Sequence, residues 1–374
     1  MRKIRTAIIG CGKVGHIHAE ALKNIPESDF VAVCDPRIER AKEMALNYGV
    51  QAYSDVSKMV GDSGVEAVII CTPHPVHSAP SITAMQAGAN VLVEKPLAST
   101  LEDCDAMITA QNETGLKLGV ISQRRLYPPV RRVREAIDAG KIGVPVLGMV
   151  IMLGWRSEAY YQSDPWRGKW QTEGGGVLVN QSPHQLDILQ WLMGPIDEVF
   201  GYWDNLNHPY IEVEDTAIAN IRFKSGGLGS IIVSNSQKPG LYGKVHIHGK
   251  NGASIGVQTD GGAMFIAGMS TVTEPPINDL WTIPGEEEML SFWQEEDRKT
   301  FSEIDTTTYY HQLQDQDFLQ AILEDRDPLM TGLEGRKTVE LFTAIYRSQR
   351  DNLPIKFPLK PEIGIGNMDG RIVK

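Results

Sequence analysis

Gly10-Cys11-Gly12-Lys13-Val14-Gly15 follows the apolar run Ile4 to Ile9 and leads into Ala19, Ala21 and Leu22 at helical spacing. This is G-x-G-x-x-G between a strand and a helix, and each glycine has a task there. The first permits a tight turn, the second lets a pyrophosphate approach the backbone, and the third lets helix and strand pack closely. Free N–H groups and the helix dipole at this end favour phosphate. A second run, Phe30 to Cys34, ends at Asp35, 20 residues beyond Gly15. A carboxylate in that place accepts hydrogen bonds from the adenosine ribose hydroxyls and repels a 2′-phosphate. Together these features predict a dinucleotide-binding domain that takes NAD. Arg37 can stack on adenine or pair with a 2′-phosphate, so NADP stays open as the alternative.

The alternation of strand and helix continues outward. A helix from Arg37 to Tyr48 precedes a short strand, Gln51 to Tyr53, and another helix from Asp55. The strand Ala67 to Cys71 is followed by a helix, Ser78 to Ala87, which Gly88 stops. Val91-Leu92-Val93 is a fully buried strand, Ser99-Thr100 caps the next helix, and Lys117 to Ile121 is a further strand. Repeated βα units of this kind give a doubly wound parallel sheet, an α/β Rossmann fold, whose carboxyl edge binds ligands. On that edge fall Thr72, Pro73, His74 and His77, then Glu94 and Lys95, then Gln123. With Cys11, Lys13 and Val14 of the turn, they are the candidate cofactor contacts; His74 and His77 can equally cap or pack. Pro96 has no N–H and keeps Lys95 extended, so the lysine sits at the end of a central strand.

The length, 374 residues, predicts two domains. The pattern changes after about Gln123, which places a Rossmann domain at 1–123 and a second α/β domain at 124–374, whose last segment can pack back on the first. The net charge of −11, with 47 acids against 36 Lys plus Arg, repels a phosphodiester backbone and excludes nucleic acid as a natural partner. No apolar stretch approaches the ~20 residues that cross a bilayer, and no signal peptide fits at Met1 to Arg5. Cys11, Cys34, Cys71 and Cys104 form no C-x-x-C pair and read as reduced thiols of a cytoplasmic protein.

In the second half, Pro128 to Ala139 is a helix whose Arg131, Arg132 and Arg134 read as a solvated basic face. Alternating segments at Pro145 to Leu153, Asp215 to Phe223, Gly227 to Ser234 and Lys244 to Gly249 predict a large, open, mostly antiparallel sheet. Turns are expected at Gly226-Gly227 and Gly261-Gly262. Glu286 to Glu303 reads as an exposed acidic insertion, and amphipathic helices follow at Tyr309 to Asp325 and Gly332 to Asp351.

The second informative stretch runs from Trp166-Arg167-Gly168-Lys169-Trp170 to Gly174-Gly175-Gly176 and on through His184. Three glycines imply close backbone approach to a ligand or another backbone. Helical spacing from Gly176 puts Asn180, His184 and Asp187 on one face. Oxidising a secondary alcohol requires an acceptor for the hydroxyl proton. A desolvated Lys95 exchanges that proton near neutral pH, an effect Glu94 opposes if the two pair. His184 can hold the same hydroxyl or take the proton, and Asn180 can orient it without ionising. Asp187 either orients His184 or faces solvent. No His, Cys or Asp cluster has convincing metal-ligand spacing, so no metal is expected. A lysine Schiff base is the other chemistry open to Lys95, and the phosphate turn with Asp35 argues against it.

The glycine turn, Glu94-Lys95-Pro96, Gly174-Gly175-Gly176 and His184 together resemble the glucose–fructose oxidoreductase/inositol dehydrogenase/rhizopine catabolism (Gfo/Idh/MocA) family over nearly the whole chain. The resemblance implies a catalytic lysine at Lys95, often before a cis proline bond, and a catalytic histidine at His184. It also implies an open second sheet that makes a homo-oligomer, a dimer or tetramer. Trp166 and Arg167 resemble a segment that reaches the nicotinamide end of the site. Substrate contacts are expected from Lys95, Tyr127, Tyr161, Arg167, Asn180, Gln181 and His184, with Tyr160, Lys169 and His311 as further candidates. The implied activity is hydride transfer between a secondary alcohol of a sugar, glycoside or cyclitol and NAD(P). Many inositol dehydrogenases of the family carry aspartate where Asn180 stands; similar members with asparagine act on sugars, glycosides or nucleotide sugars. Two other readings are an NAD-dependent glycosidase working by transient oxidation and elimination, and a nucleotide-sensing regulator. Retention of Lys95 and His184 speaks against the regulator.

Overall fold

The computed structural model describes residues 2–260 and 275–371. The expected Gly261-Gly262 turn lies outside them. The chain forms two compact units, Met1–Gln123 with Thr306–Val339, and Arg124–Asp305 with Glu340–Lys374.

The first unit alternates β1 (Ile4–Ile9), α1 (Lys13–Asn24), β2 (Ser28–Cys34), α2 (Ile38–Tyr48), β3 (Gln51–Tyr53), α3 (Val56–Ser63), β4 (Ala67–Ile70), α4 (Ser78–Gln86), β5 (Asn90–Val93), α5 (Leu101–Thr114) and β6 (Leu118–Val120). The strands pair in parallel in the order β3-β2-β1-β4-β5-β6. The order reverses between β1 and β4, and at such a switch point a crevice opens beyond the strand ends. Helices cover both faces, so the strands are buried on both sides and read as unbroken apolar runs. Ile8, Val33, Ile69 and Leu92 of the sheet pack with Leu22 and Met44 of the helices. Asp55 and Thr100 cap their helices by accepting from the backbone N–H groups of Lys58 (2.7 Å) and Asp103 (3.1 Å).

Residues 306–339, beyond the 1–123 expected for the Rossmann domain, group with the first unit. Their first helix lies at Thr306–Leu323, and Phe318 and Leu319 join the core beside Leu92. The reason is the edge of the sheet. β6 is the last strand, and its free backbone groups need partners. The Val120 N–H donates to Met330 O at 3.1 Å, and Gln314 donates to Val120 O at 2.7 Å while accepting from the Ser122 N–H at 2.8 Å.

The second unit contains α6 (Pro128–Asp138), β7 (Pro145–Leu153), α7 (Glu158–Gln162), α8 (Trp170–Glu173), α9 (Pro183–Met193), β8 (Ile196–Asp204), β9 (Thr216–Phe223), β10 (Leu228–Ser234), β11 (Tyr242–Gly249), β12 (Ser254–Asp260), β13 (Ile277–Trp281) and α10 (Met289–Ser302). The segment 306–323 named above is α11. Helix α12 (Gly332–Asp351) and strand β14 (Ile355–Lys356) complete the order. The sheet runs β13-β12-β11-β7-β10-β9-β8-β14 and is antiparallel except where β10 meets β7. Among the described residues, no helix is long and apolar enough to cross a membrane.

Two expectations need correction here. Glu286 to Glu303 is exposed over most of its length, but it is a helix docked by one face rather than a loose insertion: α10 packs on β13, with Trp293 edge-on to Trp281 at 4.8 Å and Phe301 buried. Nor is the arginine row of α6 wholly solvated. Arg132 makes a two-pronged ion pair with the buried Asp297 (2.6 and 2.8 Å) and also donates to Asn278. The acidic composition of 286–303 hid a helix whose buried face has one acid matched by one arginine.

Candidate active site

The glycine turn has the shape its motif requires. A Cβ on Gly10 would lie 2.7 Å from the Cys71 backbone, and one on Gly15 would lie 2.4 Å from Gly10 O. A Cβ on Gly12 would meet no protein atom within 4 Å. The outer glycines therefore let β1, β4 and α1 approach, while the middle one leaves space beside the N–H groups that begin α1. Lys13 is exposed beside it, and Val14 is half-buried. Cys11 contributes its backbone rather than a thiolate: burial, with the nearby Asp35 charge, pushes its thiol up to about 12.

Asp35 is buried and accepts from the Cys11 N–H (3.1 Å) and the Arg37 N–H (2.9 Å). The carboxylate is thus aimed along the turn, with lone pairs left for a ribose. The Arg37 side chain is 64% exposed and its Nε stands 4.0 Å from Asp35. On the neighbouring strand end, Thr72 donates to Val76 O, and Pro73 precedes a single turn at His74–Val76. His74 is buried edge-on to His77. His77 is fully buried, its ring spanning Thr72 O (2.8 Å) and Pro96 O (3.0 Å). That ring is a strut between the ends of β4 and β5.

Lys95 follows β5, half-buried, and its bond to Pro96 is cis. Glu94 turns back so that Oε2 accepts from the Lys95 N–H at 3.0 Å, while Oε1 faces His18 Nε2 at 3.0 Å and His311 Nε2 at 3.5 Å. His18 Nδ1 faces Asp315 at 2.8 Å. Both ring nitrogens of His18 therefore meet carboxylates, which calls for a proton on each. Burial would lower the His18 pKa, but Asp315 and Glu94 raise it to about 10. Burial would raise Glu94, yet hydrogen bonds from the two imidazoles hold it well below the usual carboxylate range. The ion pairs of Glu94 are thus with histidines. Ligand-type atoms of His18, Glu94 and His311 lie within 4.8 Å of one another, a grouping the sequence did not show. A doubly protonated His18 is itself the cation of that cluster. Gln123 is buried with its Nε2 3.2 Å from His311 Nε2. His311, expected among the hydroxyl-facing residues of the second domain, is buried in the first unit.

In the second unit, the close approach at the triple glycine is to another backbone. A Cβ on Gly176 would lie 1.8 Å from Glu214 O, and the Glu214 carboxylate accepts from the Gly176 and Leu178 N–H groups at 2.9 and 3.0 Å. Helix α9 does not begin at Gly176. Residues 177–181 form a wide turn, closed by the Ser182 N–H on Val177 O at 2.9 Å, and α9 starts at Pro183, which has no N–H to continue the ladder. Asn180 lies in the wide turn and His184 in α9, buried, so the regular-helix spacing expected for them does not apply. Asp187 is buried and gripped by Arg125 through Nε (2.7 Å) and Nη2 (2.5 Å), so it does not face solvent.

The other candidates of this unit form a connected polar network. The Arg167 guanidinium lies between the rings of Tyr160 (4.3 Å) and Trp166 (4.4 Å) and donates to the Tyr160 hydroxyl. That hydroxyl also accepts from Asn180 (3.3 Å) and Gln181 (3.2 Å). Gln181 in turn accepts from Asn235 at 2.9 Å, and Asn235 reaches the Tyr161 hydroxyl at 3.5 Å. Tyr127 is buried edge-on to Phe301.

Sequence reasoning missed His18, Asp315, Glu173 and Asn235. His18 sits between Gly15 and Leu22 on the buried stripe of α1, and Asp315 between His311 and Phe318 on that of α11. A polar residue at a core position of a helix was the available signal. Glu173 is buried and accepts from the Gly168 N–H and from Asn180. Burial pushes its carboxyl up to about 7, despite those two donors.

Comparison with known proteins agrees with this geometry. Residues 4–122 match the model of an oxidoreductase family with an NAD-binding Rossmann fold (GFO/IDH/MocA), and residues 130–255 match that of the GFO/IDH/MocA C-terminal domain. The chain is 28% identical to scyllo-inositol 2-dehydrogenase (NAD(+)) of Bacillus subtilis (strain 168), over 96% of this chain and 97% of that protein. It is 32% identical to Myo-inositol 2-dehydrogenase of Thermotoga maritima, over 67% of this chain and 74% of that one. The solved structure of the WlbA dehydrogenase from Bordetella pertussis, in complex with NADH and UDP-GlcNAcA, superposes with a TM-score of 0.80 at 30% identity, covering 96% of this chain and 100% of the other. The chain belongs to the GFO/IDH/MocA oxidoreductases, and residues 4–122 are their NAD-binding Rossmann domain.

Proposed function

We propose that this oxidoreductase transfers a hydride between NAD and a secondary alcohol of a sugar, glycoside or cyclitol. The observation that carries the reading is the place of Lys95. It follows the end of β5, on the same carboxyl edge as the Gly10–Gly15 turn and beside the switch in strand order. NAD, when bound, accepts the carbinol hydride. The Lys95 amine takes the hydroxyl proton, His184 holds the same oxygen, and Asn180 orients it. The turn at Gly12, Asp35 and the edge residues Thr72, Pro73, Glu94 and Gln123 hold the cofactor, with Arg37 against the adenosine end and Trp166 and Arg167 toward the nicotinamide.

A hydroxyl-rich substrate suits the network of Arg167, Tyr160, Tyr161, Gln181 and Asn235, because each member can exchange one internal hydrogen bond for one to a vicinal hydroxyl. The inositol dehydrogenases and the UDP-GlcNAcA complex among the relatives support the same substrate class. A second copy of the chain covers the open sheet, where Tyr202, Ile218 and Ile232 stand side by side on β8, β9 and β10. The test is a panel of sugars and cyclitols read at the NADH absorbance, with NAD and NADP in parallel. Lys95→Ala is expected to abolish turnover while NAD still binds; undiminished turnover would reject the reading.

A further inference from the structure

We propose that the buried chain Asp315–His18–Glu94 positions Lys95 and sets its basicity: the His18 imidazolium neutralises Glu94, so that the glutamate grips the Lys95 backbone without stabilising the lysine ammonium. This rests on Lys95 as the proton acceptor of the reaction.

Glu94 is next to Lys95 in sequence and almost wholly buried. A lone carboxylate there would hold a proton on the neighbouring amine, changing its proton affinity by tenfold or more at the effective dielectric of such sites. The fold instead places a cation directly behind it. His18 comes from α1, the helix that begins at the phosphate turn, and is fixed by Asp315 of α11, whose two oxygens lie 2.8 and 3.1 Å from Nδ1. His311, also on α11, faces the same Glu94 oxygen at 3.5 Å. Cys71 at the end of β4 and His77 before α4 also sense the Glu94 charge, the first held as a thiol by burial and the second tied to Thr72 and Pro96 carbonyls. With its charge met by imidazole, the free oxygen of Glu94 binds the Lys95 N–H and fixes the backbone from which the amine extends. His18 and Asp315 are positioning residues that act through Glu94.

The experiment reads Lys95 itself. The NAD-loaded protein is acetylated with trace acetic anhydride from pH 6 to 11, and the Lys95 peptide is quantified by mass spectrometry. His18→Gln keeps a donor toward Glu94 but removes the positive charge, so the midpoint of Lys95 reactivity is expected to rise by about one pH unit. Glu94→Gln is expected to lower it. Unmoved midpoints in both variants overturn the proposal. Should the variants not fold, labelled imidazole nitrogens of wild-type holoenzyme decide: His18 doubly protonated above pH 8 supports it, and a neutral His18 at pH 7 overturns it. A stoichiometric transition metal in the purified protein, lost in His18→Gln, would also overturn it. Failure of the underlying reading looks different: Lys95→Ala would keep its turnover whatever the midpoints do.

Discussion

The side-chain amide of Asn180 donates to the buried carboxyl of Glu173. The position that carries no charge in this chain is therefore joined to a group whose own proton comes off near neutral pH. The same N–H₂ group also reaches the Tyr160 hydroxyl at 3.3 Å, so its two donors tie the wide turn to both neighbours.

Glu173 makes stability depend on pH in a stated direction. Its carboxyl is raised from 4.5 to about 7 in the folded chain. Between those values the unfolded chain has lost the proton and the folded chain keeps it, so stability falls as pH rises through the window and levels off above 7. The loss from this one group is on the order of 3 kcal/mol. Glu173→Gln removes the titration. Its melting temperature, relative to wild type, is expected to climb between pH 5 and pH 8, and a difference that stays flat would show that Glu173 is not the titrating group.

Two glycines of one turn are expected to fail in different ways. Gly15→Ala drives a methyl against Gly10 O and should destabilise the fold by about 2–4 kcal/mol. At Gly12 a Cβ meets no protein atom within 4 Å and the backbone is extended, so the melting temperature of Gly12→Val should hold. Its NAD affinity should drop at least about tenfold, because the valine fills the space a phosphate would enter. Thermal unfolding and calorimetric NAD titration of both variants separate the cases.

Asp35 should govern the choice between cofactors. Its oxygens are aimed by the Cys11 and Arg37 N–H groups, and a 2′-phosphate would face that charge. Asp35→Ser is expected to raise the NADP-to-NAD ratio of kcat/KM by about tenfold or more, with Arg37 left to pair with the phosphate. An unchanged ratio would mean that the ribose lies elsewhere.

The open sheet supplies a prediction about assembly. Tyr202, Ile218 and Ile232 are 61%, 49% and 37% exposed and adjacent across three strands, an apolar row that monomers seldom leave uncovered. Replacing Ile218 and Ile232 together by lysine should reduce the particle to a monomer in light scattering without lowering the melting temperature of the subunit. A wild-type protein already monomeric at micromolar concentration would dismiss the second copy.

Much of the first unit was legible because parallel βα units write themselves locally. Each strand is an apolar run, each helix carries its caps, and the glycine turn has a fixed spacing. The second constellation was legible in composition but not in geometry: Pro183 and the Glu214 carboxylate convert the expected single helix into a wide turn followed by α9. Segment 286–303 was legible as acidic and exposed, but its docked face was not, because α10 hides that side among acids and no local signal says that Asp297 meets Arg132. The histidine–carboxylate chain behind Lys95 was invisible for a further reason. His18, Glu94 and Asp315 are brought together by tertiary packing alone, and only their place on apolar helix stripes or beside a lysine hinted at a partner.

The partners of Glu94 also carry a consequence for biosynthesis. Asp315 and His311 belong to α11, which joins the first unit only after all of Arg124–Asp305 has been made. At about 5–20 residues per second, a ribosome needs tens of seconds to cover that stretch. A parallel sheet formed within that interval would hold β6 with an open edge, and Glu94 and His18 without α11. The nascent chain thus has its phosphate turn early and its finished lysine late, and a chaperone that shelters the edge of β6 would be shielding the future reaction centre as well.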